Sequence, residues 1–286
     1  MHTPNYSPAS LAAFTRVFRS SSWGAESLDA YNRRAEMQLT ASLWSAYPEL
    51  CTPRAGTSNR KTKMINEGTT PGRCGTCDPS CAGDCDKFCY AIAHGDGVYP
   101  AARENHVINT IARRRDAVAY YRHFFQLAAA AGNDLRVNET GDFETASQVR
   151  AFVAVAREFP TVRVIGYSKR EALLPEIAAA NKLPNVQLHY SLACCHKGEA
   201  VARAAGVPCT CVTFDPAACG CPFQVRKLNA FRKAYDAAVT ASDSDRPAFT
   251  AATAAARDAA AGWSCQDCAR RGCGCFGARD VAFLAH

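Results

Sequence analysis

The chain has 286 residues, 48% of them apolar, with 33 Lys and Arg against 26 Asp and Glu. That is enough for one large domain or two modest ones, and no run approaches the roughly 18 apolar residues of a membrane span. Sixteen cysteines would suit a secreted disulfide scaffold, but such scaffolds are short and loop-rich, and the opening MHTPNYSPASLAAF has no basic segment followed by an apolar run, so the expectation is a reducing cytoplasm.

Residues 1–50 read as a helical extension, with Leu11, Phe14, Val17 and Phe18 at helical spacing. Cys51 to Arg73 is loop-rich, punctuated by Pro53, Gly56, Gly68 and Pro71. Arg54, Arg60, Lys61, Lys63 and Arg73 crowd this stretch, opposed by Glu67. Together with Arg113, Arg114 and Arg115 they form a basic rim. It suits a nucleic acid or a phosphorylated substrate; the plainer reading is a solvated surface.

Next come Cys74, Cys77, Cys81, Cys85 and Cys89, five thiols within sixteen residues. In a reducing compartment such clusters hold metal or do redox chemistry. A cubane iron–sulfur cluster takes its thiolates from one short wrapping loop, and a tetrahedral zinc site can use the same residues. Four-residue steps would also mark one face of a helix. Pro79 and the turn residues Asp78, Ser80, Gly83 and Asp84 oppose that, since proline inside a helix costs about 3 kcal/mol.

A long helix is expected from Pro100 to Ala131, closed by Gly132 as C-cap. Strands and helices then alternate. The strands are Leu135–Asn138, Val162–Tyr167, Val186–Leu192 and Pro208–Phe214; the helices are Thr145–Glu158, Glu171–Ala180 and Gly198–Ala205. Thr145 and Gln148 give the first of these helices a capping-box start. This alternation means a parallel sheet with right-handed crossovers. The fold class is α/β, a partial or complete (β/α) barrel of TIM type over residues 51–222. Residues 223–286 form a helical, cysteine-rich extension. No Gly-x-Gly-x-x-Gly opens a helix after a strand, so a dinucleotide fold has no support.

Ligands bind at the carboxyl ends of parallel strands. There the sequence places Glu139, Thr140, Gly141 and Asp142, then Ser168, Lys169 and Arg170, then Cys194, Cys195 and His196, then Asp215. Each alone is an ordinary turn or surface residue; together they suggest a mouth. In the tail, Cys265, Cys268, Cys273 and Cys275 can complete a four-ligand site, with His286 in reserve. Cys219 and Cys221 lie in a Gly/Pro-rich loop that suits ligation. Cys209 and Cys211 share one face of a strand and can equally be buried apolar residues.

Cys81 to Ala91, Gly141-Asp142-Phe143, Tyr167-Ser168-Lys169 and the closing Val281 to His286, in this order, resemble the phage gene product 88 family over about Thr57 to His286. That family implies little chemistry. More distantly, Cys81, Cys85, Phe88 and Cys89 resemble the Cys-x-x-x-Cys-x-aromatic-Cys loop of radical S-adenosylmethionine enzymes. One extra residue separates Cys85 from Cys89, and Cys77 offers a fourth thiol. The resemblance implies a [4Fe–4S] cluster on the Cys77–Cys89 loop and S-adenosylmethionine held near Thr140, Gly141 and Asp142. Glu139, Asp142 and Lys169 would be the catalytic or positioning residues, and the tail an auxiliary cluster or zinc site. Two other classes remain open. One is a zinc-dependent barrel enzyme modifying a nucleobase, similar to tRNA-guanine transglycosylases, with Asp142 or Asp215 as base or nucleophile. The other is a non-catalytic, metal-stapled nucleic-acid-binding protein.

Overall fold

A computed structural model of the chain describes residues 6–18, 28–56, 64–71, 75–77, 100–192, 198–213 and 281–284. Three helices lead: α1 (Pro8–Phe18), α2 (Leu28–Gln38) and α3 (Ala41–Ala46), followed by a 3-10 turn at Pro48–Cys51. Phe14, Val17, Phe18, Tyr31 and Leu50 bury their apolar stripe against Val107 and Ile108 of α4 (Pro100–Arg115). The expected single long helix is in fact two. Asp116 takes an extended conformation, its carboxylate accepts the Ala119 N–H at 2.9 Å, and it caps a new helix, α5 (Ala117–Ala131). Gly132 ends α5 in the left-handed region, as expected.

The strands are β1 (Met64–Asn66), β2 (Asp134–Val137), β3 (Val164–Ser168), β4 (Val186–Leu192), β5 (Cys209–Thr213) and β6 (Val281–Leu284). All neighbours pair in parallel, and the order across the sheet is the order along the chain. Between strands run α6 (Ala146–Glu158), α7 (Leu174–Ala180) and α8 (Glu199–Ala204). Thr145 caps α6 by accepting the Gln148 N–H at 3.3 Å. The Gln148 carbonyl turns to the Glu144 N–H at 2.8 Å, one residue before the expected box partner. The fold is thus α/β with a parallel sheet. No hydrogen-bonded pair joins β6 to β1 among the described residues, so the sheet described there is open.

The two faces of this sheet differ. Leu135, Val137, Val164, Val186, Leu188, Tyr190 and Cys209 share one face by register and form a single core with α5 to α8. The aromatic row Tyr121, Phe125, Phe143 and Phe152 lies at its centre, with Tyr121 meeting Phe152 edge-on at 5.4 Å. Gly166 sits on this face because a Cβ there would lie 2.3 Å from Val137 and 2.8 Å from Leu188. The opposite face is mixed: it carries Asn66, Arg136, Tyr167, Gln187, His189, Ser191 and Thr210, and with them the buried apolar Met64 and Ile165. A doubly wound sheet reverses strand order at a switch point and needs apolar residues on both faces. Among the described residues the strand order shows no such reversal.

Candidate functional site

β1, β2 and β3 end together, and their following residues interlock. Glu67, just past β1, is fully buried. The Tyr120 hydroxyl donates to its Oε1, and the Asn138 N–H donates to its Oε2 at 2.7 Å. Arg113, equally buried, lies 3.8 Å from Glu67 Oε1. It donates to Asn138 Oδ1 at 3.2 Å and to the Asp142 carbonyl. Burial works against the Arg113 charge, yet Tyr121, Glu67 and Tyr120 around it hold the guanidinium above its ordinary range. Burial first, then Glu67, pushes Tyr120 well up. Asn138 has φ 52°, a left-handed conformation that its two side-chain bonds, to Arg113 and to the Tyr167 carbonyl at 3.0 Å, hold in place.

A threonine latch sits above this network. Thr69 and Thr140 exchange bonds, Thr69 N–H to the Thr140 carbonyl at 3.0 Å and Thr140 Oγ1 to the Thr69 carbonyl at 2.8 Å. Thr69 Oγ1 lies 2.9 Å from Thr76 Oγ1, which in turn accepts the Asp142 N–H at 2.8 Å. Gly141, at φ 75°, is where the strands close: a Cβ would come within 2.2 Å of Thr69 Oγ1 and 2.4 Å of Thr76 Oγ1. Arg170, past β3, donates to the carbonyls of Thr76 and Cys77 at 2.9 and 3.2 Å. Cys77, half-buried, therefore begins its loop on the carboxyl edge of the sheet, beside Asp142 and a guanidinium. Nearby positive charge favours a thiolate. The Arg170 Nε is buried with no acceptor, so an anionic thiolate-ligated centre fits the chemistry of this corner.

Asp142 is buried, and both of its carboxylate oxygens accept main-chain hydrogen bonds. Oδ1 accepts the Phe143 N–H and Oδ2 the Lys169 N–H, both at 2.7 Å. Burial outweighs these bonds, the Ser168 hydroxyl and the Arg170 charge, and raises its pKa to about 6. Lys169 meets this carboxylate through its main-chain N–H. The Lys169 ammonium points across the sheet to Ser191, 2.8 Å from its Oγ. Asp142 thus ties the β2 and β3 loops together. Glu139 accepts from Asn66 Nδ2 at 3.2 Å and lies 4.0 Å from Arg136. Burial raises its pKa despite Arg136, with Glu67 adding to the rise.

His106 of α4 was not anticipated. Thr140 Oγ1 already donates to Thr69, so it accepts from His106 Nε2 at 3.1 Å. Burial lowers the His106 pKa to about 4, leaving the ring neutral. His106 and Asp142 then have opposite proton linkages over nearly the same range. The folded state binds fewer protons than the unfolded at His106, so its contribution to stability rises from pH 4 to 6.5. It binds more at Asp142, whose contribution falls from pH 4 to 6. We expect urea unfolding across pH 4–7 to separate them. Relative to wild type, His106→Gln removes the rising component and Asp142→Asn the falling one. Parallel pH profiles for all three proteins would contradict this assignment.

Each arginine of the basic rim that is described has a partner within the structure. Arg113 is buried; Arg114 joins Glu144 at 2.7 Å and also Glu36; Arg115 lies 4.3 Å over the Trp44 ring. Arg54 packs over Phe14 and pairs with Glu104 at 3.9 Å. Arg114 and Arg115 remain exposed at the surface while making these contacts. Arg60, Lys61, Lys63 and Arg73 lie outside the described residues. So do Cys74, Cys81, Cys85, Cys89, Cys194, Cys195, His196, Asp215, Cys219, Cys221, Cys265, Cys268, Cys273, Cys275 and His286. Among the described residues no three His, Cys, Asp or Glu side chains converge on a metal-sized site. No helix among them is long and apolar enough to cross a membrane.

These features define a parallel α/β protein whose cysteine loop starts at the carboxyl edge of its sheet. The family model described as Gene product 88 matches residues 43–274, about four-fifths of the chain, and the protein belongs to that family. The match begins earlier than the motifs suggested and stops before the closing β6. No curated protein and no solved structure matches the chain.

Proposed function

We propose that the protein is an iron–sulfur protein of barrel type, with a [4Fe–4S] cluster on the Cys77–Cys89 loop, and that it acts as an enzyme on a ligand bound at the mouth beside that loop. The observation that carries this reading is the latch fixing Thr76 and Cys77 to Gly141, Asp142 and Arg170. Sequential strand order with helices packed on one face supports a singly wound arrangement, in which the opposite, mixed face becomes the interior. A cluster of this kind supplies single electrons, which enzymes of the radical S-adenosylmethionine type use to cleave that cofactor. The protein's own residues have simpler tasks in this reading. Arg170 braces the loop start and offsets thiolate charge. Asp142 keeps the β2 and β3 loops in register. Glu139 and Lys169 present a carboxyl and an ammonium to the mouth. The tail cysteines Cys265, Cys268, Cys273 and Cys275 hold a second cluster or zinc.

Anaerobically purified protein should be brown and contain acid-labile sulfide. Replacing Cys81, Cys85 and Cys89 together by Ala should remove one cluster's share of iron and sulfide. Stoichiometric zinc without sulfide, from iron-replete anaerobic expression, would refute the cluster.

A further inference from the structure

The face of the sheet opposite the α5 to α8 core has a second feature where β3 and β4 end, level with Thr210 near the start of β5. Lys169, Ser191 and Thr210 lie on that face, since each follows a residue on the helix-packed face: Ser168, Tyr190 and Cys209. We propose that these three side chains form a binding site for an anionic oxygen group, a carboxylate or a phosphate, of a ligand entering the mouth. The proposal deepens the reading above and rests on it only in taking this edge as the mouth.

The Lys169 ammonium lies 2.8 Å from Ser191 Oγ and 3.4 Å from the Ser191 carbonyl. An ammonium is a donor only, so Ser191 Oγ is the acceptor there and its own O–H is left to donate onward. Ser191 pairs directly with Thr210 in the sheet, and neighbouring strands stand about 4.8 Å apart. Thr210 is 3% exposed, and its hydroxyl has no hydrogen-bond partner. A buried hydroxyl left unpaired is costly, and this one sits beside a second hydroxyl already oriented by a cation. One positive charge and two O–H donors, on adjacent strands of one face, make a cradle for a negatively charged acceptor. A neutral acceptor would use the hydroxyls but not the charge.

The test is calorimetric titration of the full chain, purified anaerobically, with inorganic phosphate and separately with acetate at low ionic strength. We expect saturable one-site binding of at least one anion, and which of the two binds more tightly names the group. Thr210→Val and Lys169→Met should each weaken it about tenfold, or about 1.4 kcal/mol, while Thr210→Ser, which keeps the hydroxyl, should bind like wild type. No saturable binding of either anion, or equal affinity in Thr210→Val and wild type, would overturn the site. Iron and sulfide measured on the same samples keep the two readings apart. Anion binding without iron would count against the cluster alone, and a full cluster without anion binding against this site alone.

Discussion

Replacing Arg113 by Met should destabilise the protein by about 3–5 kcal/mol, the cost of removing one partner from a buried ion pair. In a domain of this size that is a fall in melting temperature on the order of 10 °C. Methionine keeps most of the aliphatic volume, so the loss isolates the guanidinium. Without it, Glu67 keeps only the Tyr120 hydroxyl and the Asn138 N–H, while Asn138 Oδ1 and the Asp142 carbonyl lose their donor. The damage should be partly reversible by a second change. In Arg113→Met/Glu67→Gln no charge is stranded, so the double variant should be more stable than Arg113→Met alone, a coupling that a double-mutant cycle measures. A loss below about 1 kcal/mol for Arg113→Met, the range of a surface pair, would show that this network does not hold the strand ends.

Gly141→Ala should have the largest effect on the cysteine loop. The new Cβ collides with Thr69 and Thr76 while the backbone stays left-handed. Left-handed strain costs about 1–2 kcal/mol, and overpacking about 1–3 kcal/mol more. Gly132 supplies the control. It is also left-handed, at φ 60°, but a Cβ there meets nothing within 4 Å. Gly132→Ala should therefore show the strain alone, about 1 kcal/mol, with the same iron content as wild type. Gly141→Ala should shift Thr76 and Cys77 and, on the proposal of a cluster on this loop, lose roughly half or more of that cluster's iron, because a site displaced by about 1 Å loses its ligand geometry. Equal iron content in the two variants would separate the latch from the metal site.

Much of the fold was legible because its signals are local. β2 to β5 are runs of β-branched and apolar residues between turn residues, and Thr145 and Gly132 mark helix ends by side-chain chemistry alone. β1 was not legible. Met64–Asn66 is too short for any periodicity, and it forms because Asp134–Arg136 pair with it. The break at Asp116 was hidden by apolar residues that keep helical spacing on both sides of it. At the site, Asp142 and Lys169 could be placed at the same sheet edge, but not their partners. Whether a carboxylate takes an ammonium or a main-chain N–H depends on the loop path, which residue identity does not carry. Arg113 shows the same limit: three consecutive arginines look like a surface, and only tertiary packing separates the buried one from its neighbours.

The sequential strand order also bears on how the protein is made. Each strand docks beside the one synthesised before it, so the sheet grows at a single edge and no strand needs to be inserted between earlier ones. The latch joins residues 69–76 to residues 140–142, so it can close once the first half of the chain has left the ribosome, since nascent chains fold from the N-terminal side. Before that point the latch does not yet hold Thr76 and Cys77. Afterwards the start of the cysteine loop is fixed while β4, β5 and β6 are still being translated. Metal loading after latch closure would be ordered by translation itself, and a ribosome-stalled chain ending shortly after β3 is the natural species in which to look for it.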